Sequence, residues 1–271
     1  MVMTPKKLGA VGTGVAAGHR YAYPLVALVR REIKKRYAAS MLGVGWTILQ
    51  PLALISVYLF VFGFIRTSSR ASDPRQFVLH LLTGMLPYIA IAEAIRGATG
   101  SLREDRALLE RADFPAEVVP AARVLSATLA EGVGLTLLFF LGLSHGIPLN
   151  IWLLSMPVLV ALRIVMTCGL TWIVSTLGLF VPDLSEVLSF LLTLWLFLTP
   201  IFYTAASVPA AMRWILPLNP LHHLVGAYRA VLLEGRAPFP ELLFLVACAA
   251  VFWMGGLWFF RRTLDRGKDF L

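Results

Sequence analysis

Residues 21–37 read YAYPLVALVRREIKKRY, and the chain beyond them is apolar almost to its end. On a helix, Leu25, Leu28, Val29, Ile33 and Tyr37 recur at three- and four-residue spacing. Arg30, Arg31, Lys34 and Lys35 fall mostly on the other side. Glu32 and Arg36 stand four apart and can pair along the helix. Such a rod lies in the headgroup plane with its apolar side down. A helix needs about 20 apolar residues to cross a bilayer. Downstream, the apolar stretches 44–65, 77–95, 124–143, 151–181, 187–203 and 242–260 reach or approach that length. The stretch 151–181 carries Pro157 and Arg163 and should tilt or bend, and 187–203 is short and closed by Pro200. The expected fold is an all-α integral membrane protein. A flexible cytoplasmic tail (1–20) leads into an amphipathic interface helix (21–40) and a single domain of six transmembrane helices (41–265).

Composition agrees. Apolar residues make up 58% of the 271 and charged residues 14%, too few to clothe a water-soluble surface of this size. The net charge is +9, and the cations gather beside apolar stretches. That pattern fits membrane orientation and anionic lipid headgroups rather than a nucleic acid. With both termini cytoplasmic, sixteen Lys and Arg fall on the inside and six outside, while Arg96 and Arg163 lie within spans. Cys168 and Cys248 sit in apolar segments and read as buried, reduced thiols.

Segment 204–241 contains apolar pieces broken by Pro209, Pro217 and Pro220. Proline-broken, half-apolar stretches suit re-entrant or interface-lying helices between the last two spans; the alternative is an ordinary outer loop. No internal repeat is evident, which weighs against transporters built from two related halves.

Four groups of residues bear on chemistry. The basic face, Arg30, Arg31, Lys34, Lys35 and Arg36, is either a plain anchor or a platform for a lipid or pyrophosphate headgroup. The inner loop around Glu110, Asp113, Phe114, Pro115 and Glu117 surrounds a short apolar core with charge. It is a docking knob for a soluble partner or a plain linker. Glu131 and Arg163 fall inside spans, within several Å of the midplane. A lone charge there costs at least about 2.5–3.5 kcal/mol, so the two should pair or line a water-filled path. Aromatics at Tyr58, Phe62, Trp195, Phe202 and Tyr203 collect in the outer halves of spans, as an interfacial belt or as a pore lining.

The sequence contains no Gly-x-x-x-x-Gly-Lys-Ser/Thr phosphate loop, no Gly-x-Ser-x-Gly elbow and no His-Glu-x-x-His pair. The chain therefore has no ATPase motif of its own. A membrane transferase acting on a lipid phosphate is a competing reading. It would need clustered acidic ligands, and the nearest set, Glu104, Asp105 and Glu110, is interspersed with arginines.

In sequence order, four blocks resemble the permease subunit of ABC-2 type polysaccharide exporters, which move O-antigen, capsule or teichoic-acid chains. They are RREIKKRY (30–37) running into SMLGVGW (40–46) and QPL (50–52); GMLPY (84–88); ADFP (112–115) with Glu117 and Pro120; and TPIFY (199–203), LNPL (218–221) and Tyr228-Arg229. The resemblance spans nearly the whole chain. It implies a homodimer bound to two copies of a separate ABC ATPase that holds the ATP and Mg, with no cofactor in this chain. It implies a bacterial inner membrane location, a lipid-linked polysaccharide substrate, coupling to the ATPase through the loop at Phe114–Pro115, and gate helices before the last span. A drug- or lipid-exporting ABC-2 permease is the nearest alternative. One departure stands out: relatives commonly carry Arg-Asp before the fifth span, where this chain has Pro182-Asp183.

Overall fold

The computed structural model describes residues 13–37, 41–65, 74–110, 114–144, 146–147 and 149–267. Helix α1 (Thr13–Tyr37) begins inside the stretch expected as a tail. A 3-10 turn at Gly43–Gly45 leads into α2 (Trp46–Ile65), then α3 (Pro74–Ala98). Two single-turn helices follow, α4 (Ser101–Glu104) and α5 (Arg106–Leu109), then α6 (Val118–Ser144). A 3-10 segment (Ile151–Ser155) precedes α7 (Met156–Phe180) and α8 (Leu184–Leu198). Two further 3-10 segments, Ala205–Ser207 and Ala210–Leu218, connect to α9 (Pro220–Leu232) and finally α10 (Phe239–Gly267). Every regular element among the described residues is helical.

Four helical stretches among the described residues are long and apolar enough to cross a membrane: Gln76–Ala98, Val118–Ser144, Ile151–Phe180 and Phe239–Leu264. Helix α2 has 20 residues, and α8 has 15. At a rise of ~1.5 Å per residue α8 covers only ~22 Å of a ~30 Å hydrocarbon layer. The stretch at 151–181, expected to tilt or bend, opens with a change of helix type. Its first turn is 3-10, and Pro157 stands in the first turn of α7, where its missing N–H leaves no hydrogen bond unmade.

Helix α3 is the centre of the bundle, packed against α2, α6, α7, α8 and α9. Its Leu81, Leu82, Ile91, Ala92 and Ala94 are fully buried. Helices α7 and α10 form the most extensive pair. Their backbones meet at Gly169 and Gly256: a Cβ on Gly169 would collide with the carbonyl of Phe252, and one on Gly256 with the carbonyl of Gly169. Small residues allow this approach where no hydrophobic effect draws helices together. The buried hydroxyls of α7 are satisfied locally, with Thr167, Thr171, Ser175 and Thr176 donating to carbonyls three or four residues back.

The apolar stripe of α1 faces protein. Leu28 is buried in a cluster with Ala90, Leu102, Val118 and Phe260, and Leu25 and Val29 pack against it. The helix lies along α6. Its opposite side, with Tyr23, Val26, Arg30 and Lys34, is exposed. The periodicity marks the buried side correctly; the surface it meets is α6 and its neighbours, which no local pattern encodes.

Candidate functional site

Two polar constellations stand out, one at the α1 end of the bundle and one where α8 and α9 meet. The first begins with the geometry of α1. Residues three and four apart share a face, so Glu32, Lys35 and Arg36 turn toward the bundle together. Arg31 donates to Asp105 at 2.6 Å and lies 3.4 Å from Glu32. Lys35 donates to Glu104 at 2.7 Å. Arg123 of α6 bonds both Glu104, at 2.9 Å, and Glu32. Arg36 pairs with Glu93 of α3. Three cations and three carboxylates from α1, the α4 segment and α6 thus interlock, and the Arg36–Glu93 pair separately ties α1 to α3. The Asp105 hydrogen bond raises the pKa of Arg31. Burial pushes the Glu104 carboxyl up, but hydrogen bonds from Lys35 and Arg123 outweigh it and hold the pKa below the ordinary value.

The five basic residues singled out in the sequence therefore divide. Arg31, Lys35 and Arg36 are tied to carboxylates, whereas exposed Arg30 and Lys34 make no ion pair among the described residues. The sequence names the cations, but not their partners Glu93, Glu104 and Asp105, which lie 57 to 74 positions away, nor Arg123, which answers Glu32 from α6. The acidic set weighed as transferase ligands is engaged: Glu104 and Asp105 by α1, Glu110 by Arg106 at 2.9 Å.

The knob residues anchor the loop to the bundle. Pro115 is buried and Phe114 half-buried against the cluster that holds Leu28. The Glu117 carbonyl accepts from Trp172 Nε1 at 3.0 Å, and its carboxylate from Arg261 at 3.0 Å. Asp113 lies outside the described residues.

The second constellation gathers motif residues that are remote in sequence. Helix α8 stops at Pro200, and Asn219 caps α9 by accepting from the N–H of Leu221 at 3.0 Å. The same Asn219 Oδ1 accepts from Trp195 Nε1 at 2.8 Å, and its Nδ2 donates to Thr199 Oγ1 at 2.8 Å. Buried Arg229 donates to the carbonyls of Pro200 at 2.8 Å, Ile201 at 3.2 Å and His80 at 3.1 Å. Gly84 lies under this fork, where a Cβ would stand 3.2 Å from Ile201 and 3.3 Å from Arg229. Tyr88 donates to the carbonyl of Leu192 at 3.1 Å. One turn of α9 thus holds the broken end of α8 against α3.

Tyr228, beside Arg229, donates to Glu131 Oε1 at 3.0 Å. The other carboxylate oxygen lies 2.7 Å from Arg163 Nη2, and both side chains are fully buried. Arg163 donates to Thr128 at 2.7 Å, while its Nε and Nη1 and the Oε2 of Glu131 lack a hydrogen-bond partner among the described residues. The two intramembrane charges do pair, and α9 closes over them.

The aromatics separate. Trp195 belongs to the Asn219 network. Phe202 stacks on Phe197, centroids 5.9 Å apart, and Tyr203 donates to the Phe197 carbonyl at 2.6 Å. Phe197 and Tyr203 border a cavity of about 310 Å³ against Met212 and Ile215. Phe197, which the sequence reading passed over, is the exposed member. Tyr58 and Phe62 lie on α2, with side chains outside the described set.

The model of the ABC-2 type transporter family matches residues 23–233, a range that includes the ion-paired shelf formed by α1 with α3, α4 and α6, and the α8–α9 network. The chain belongs to that family. Among similar proteins is the O-antigen export system permease protein RfbA of Myxococcus xanthus, 32% identical over 235 residues, covering 86% of this chain and 89% of the relative. RfbA of Klebsiella pneumoniae is 26% identical over 251 residues, 91% and 94% of the two chains. The polysialic acid transport protein KpsM of Escherichia coli is 26% identical over 210 residues, 77% and 81%. The blocks that join α3, α8 and α9 in this ABC-2 family member are therefore inside the shared region.

Proposed function

We propose that this chain is the channel-forming subunit of an ATP-driven exporter that moves a lipid-linked polysaccharide of O-antigen type from the cytoplasmic side across a bacterial inner membrane. The observation that carries the reading is the interlocked shelf: a basic helix joined by ion pairs to the loop that would meet a motor. The similarity to export permeases supplies the cargo class.

In this scheme two copies form a homodimer, each bound to one ABC ATPase that holds ATP and Mg. Helices α2, α3, α6, α7, α8 and α10 are the six spans, and both termini are cytoplasmic. Arg30 and Lys34 receive the anionic head of the cargo, since charge there is not already neutralised. Glu110, Asp113, Phe114, Pro115 and Glu117 form the coupling knob. Force on that knob passes to α1 through Asp105–Arg31 and Glu104–Lys35. The Arg229 clamp keeps α8 and α9 as one gate body, and the glycan leaves past Phe197, Phe202 and Tyr203, whose faces suit sugar rings. No covalent bond is made or broken in this chain.

The test is genetic. Cells without this chain should accumulate intracellular, lipid-linked polymer, and the wild-type gene should restore surface polymer. Normal surface polymer in the deletion strain, with no paralogue present, overturns the reading.

A further inference from the structure

Between α2, α3 and α6 lies a cavity of about 280 Å³. Four alanines hollow it out: Ala53 of α2, Ala90 of α3, and Ala127 and Ala130 of α6. Its polar lining is confined to Gln50, Glu93 and Glu131. Both carboxylates are already matched, Glu93 by Arg36 and Glu131 by Arg163. The space therefore carries no unbalanced charge. It runs from the shelf, where Arg36 and Glu93 meet, toward the middle of α6 at Glu131. Ala53 and Val57 on one wall are exposed, so the cavity opens beside α2.

Close-packed interiors leave few voids larger than a water molecule, and an empty apolar cavity destabilises in proportion to its volume. Water is a poor filler for most of this space: beyond Gln50, Glu93 and Glu131 its walls are apolar, and they offer none of the two to four polar partners a buried water needs. At this depth the surrounding medium is hydrocarbon. The geometry points to a lipid site: one acyl chain of a phospholipid from the shelf-side leaflet lodges between α2 and the α3–α6 pair, its headgroup beside the Arg36–Glu93 rim. The rim is electrically neutral and selects no anionic cargo. The alanine-lined groove suits an unbranched chain better than a methyl-branched isoprenoid. The inference needs the membrane setting of α3 and α6, and is independent of which substrate is exported.

The test uses the full chain in nanodiscs containing a phospholipid with a diazirine on its acyl chain. The protein is transferred to excess detergent, irradiated and mapped by mass spectrometry. Phospholipid adducts should persist on Ala53, Val57, Ala90 or Ala130, and be lost from the exposed α10 residues Val251 and Met254, which mark loosely held lipid. Filling the space with Ala130→Leu or Ala53→Leu should abolish the cavity adducts. The wild-type map stands without either variant: absence of retained adducts on the cavity walls overturns the proposal. So does persistence of those adducts in both folded variants, or their displacement by a diazirine-bearing polyisoprenyl phosphate, which would assign the space to a cargo tail.

Discussion

Glu131 and Arg163 show how a pair of costly residues becomes tolerable. Each charge alone would be stranded in hydrocarbon; together, with Tyr228 and Thr128 donating and accepting, they form a compact neutral unit. Removing one partner should therefore hurt more than removing both. We expect Glu131→Ala or Arg163→Ala to cost about 3–5 kcal/mol, and Glu131→Leu with Arg163→Met to recover much of it. Thermal stability in detergent, followed by size-exclusion, decides this; a double variant no better than the singles contradicts it. Arg229 makes a different kind of contact. Its planar fork reaches three carbonyls, a geometry that a lysine ammonium does not reproduce. Arg229→Lys should cost about 1.5–3 kcal/mol despite keeping the charge, read by the same melting assay. A melting point equal to wild type would mean that charge alone suffices.

At the scale of elements, the shelf is a link between helices. If the Lys35–Glu104 pair transmits force, Lys35→Glu and Glu104→Gln should each reduce export, and Lys35→Arg should retain it, measured as surface polymer. Two single variants at wild-type level would show that the pair is only decorative. Acid should loosen the same link. The folded pKa of Glu104 lies below its ordinary value of 4.5, so its contribution is complete above that value and is lost as pH falls through the folded one. Amide exchange in α4 and α5, corrected for intrinsic rate, should stay flat between about pH 6 and 8 and rise only in strong acid. The Gly169–Gly256 contact predicts that Gly169→Leu separates α7 from α10 and lowers the melting point. These elements were unequally legible in sequence. Apolar length announced the long helices, and the cost of lone charge in lipid narrowed Glu131 and Arg163 to a pair or a water-filled path, of which the structure shows the pair. Local pattern said nothing of what covers Leu28, or of which carboxylate answers which cation, because those partners come from other helices. The three prolines of 204–241 signalled short helices there but not their bounds; the Asn219 cap and Pro220 in the first turn fix where α9 starts.

For the molecule as a whole, α3 is encased while α2 and α8 keep broad apolar faces exposed, including Ile48, Leu52, Phe60, Val187, Phe190 and Leu194. Such faces meet lipid or a second copy. Cysteines placed along α8 should cross-link between copies in membranes if the homodimer forms there, and not if that face is purely lipidic. Reporter tags on the two ends should lie in one compartment, as the lysine and arginine bias requires. The backbone-to-backbone seam between α7 and α10 has a mechanical consequence. Two helices touching through glycine have no side-chain cushion to shear, so they behave as a single beam. Any stroke delivered by a motor must be absorbed elsewhere, in α1 with α2 and in the short α8. The export cycle would then be a motion of light levers against a fixed post.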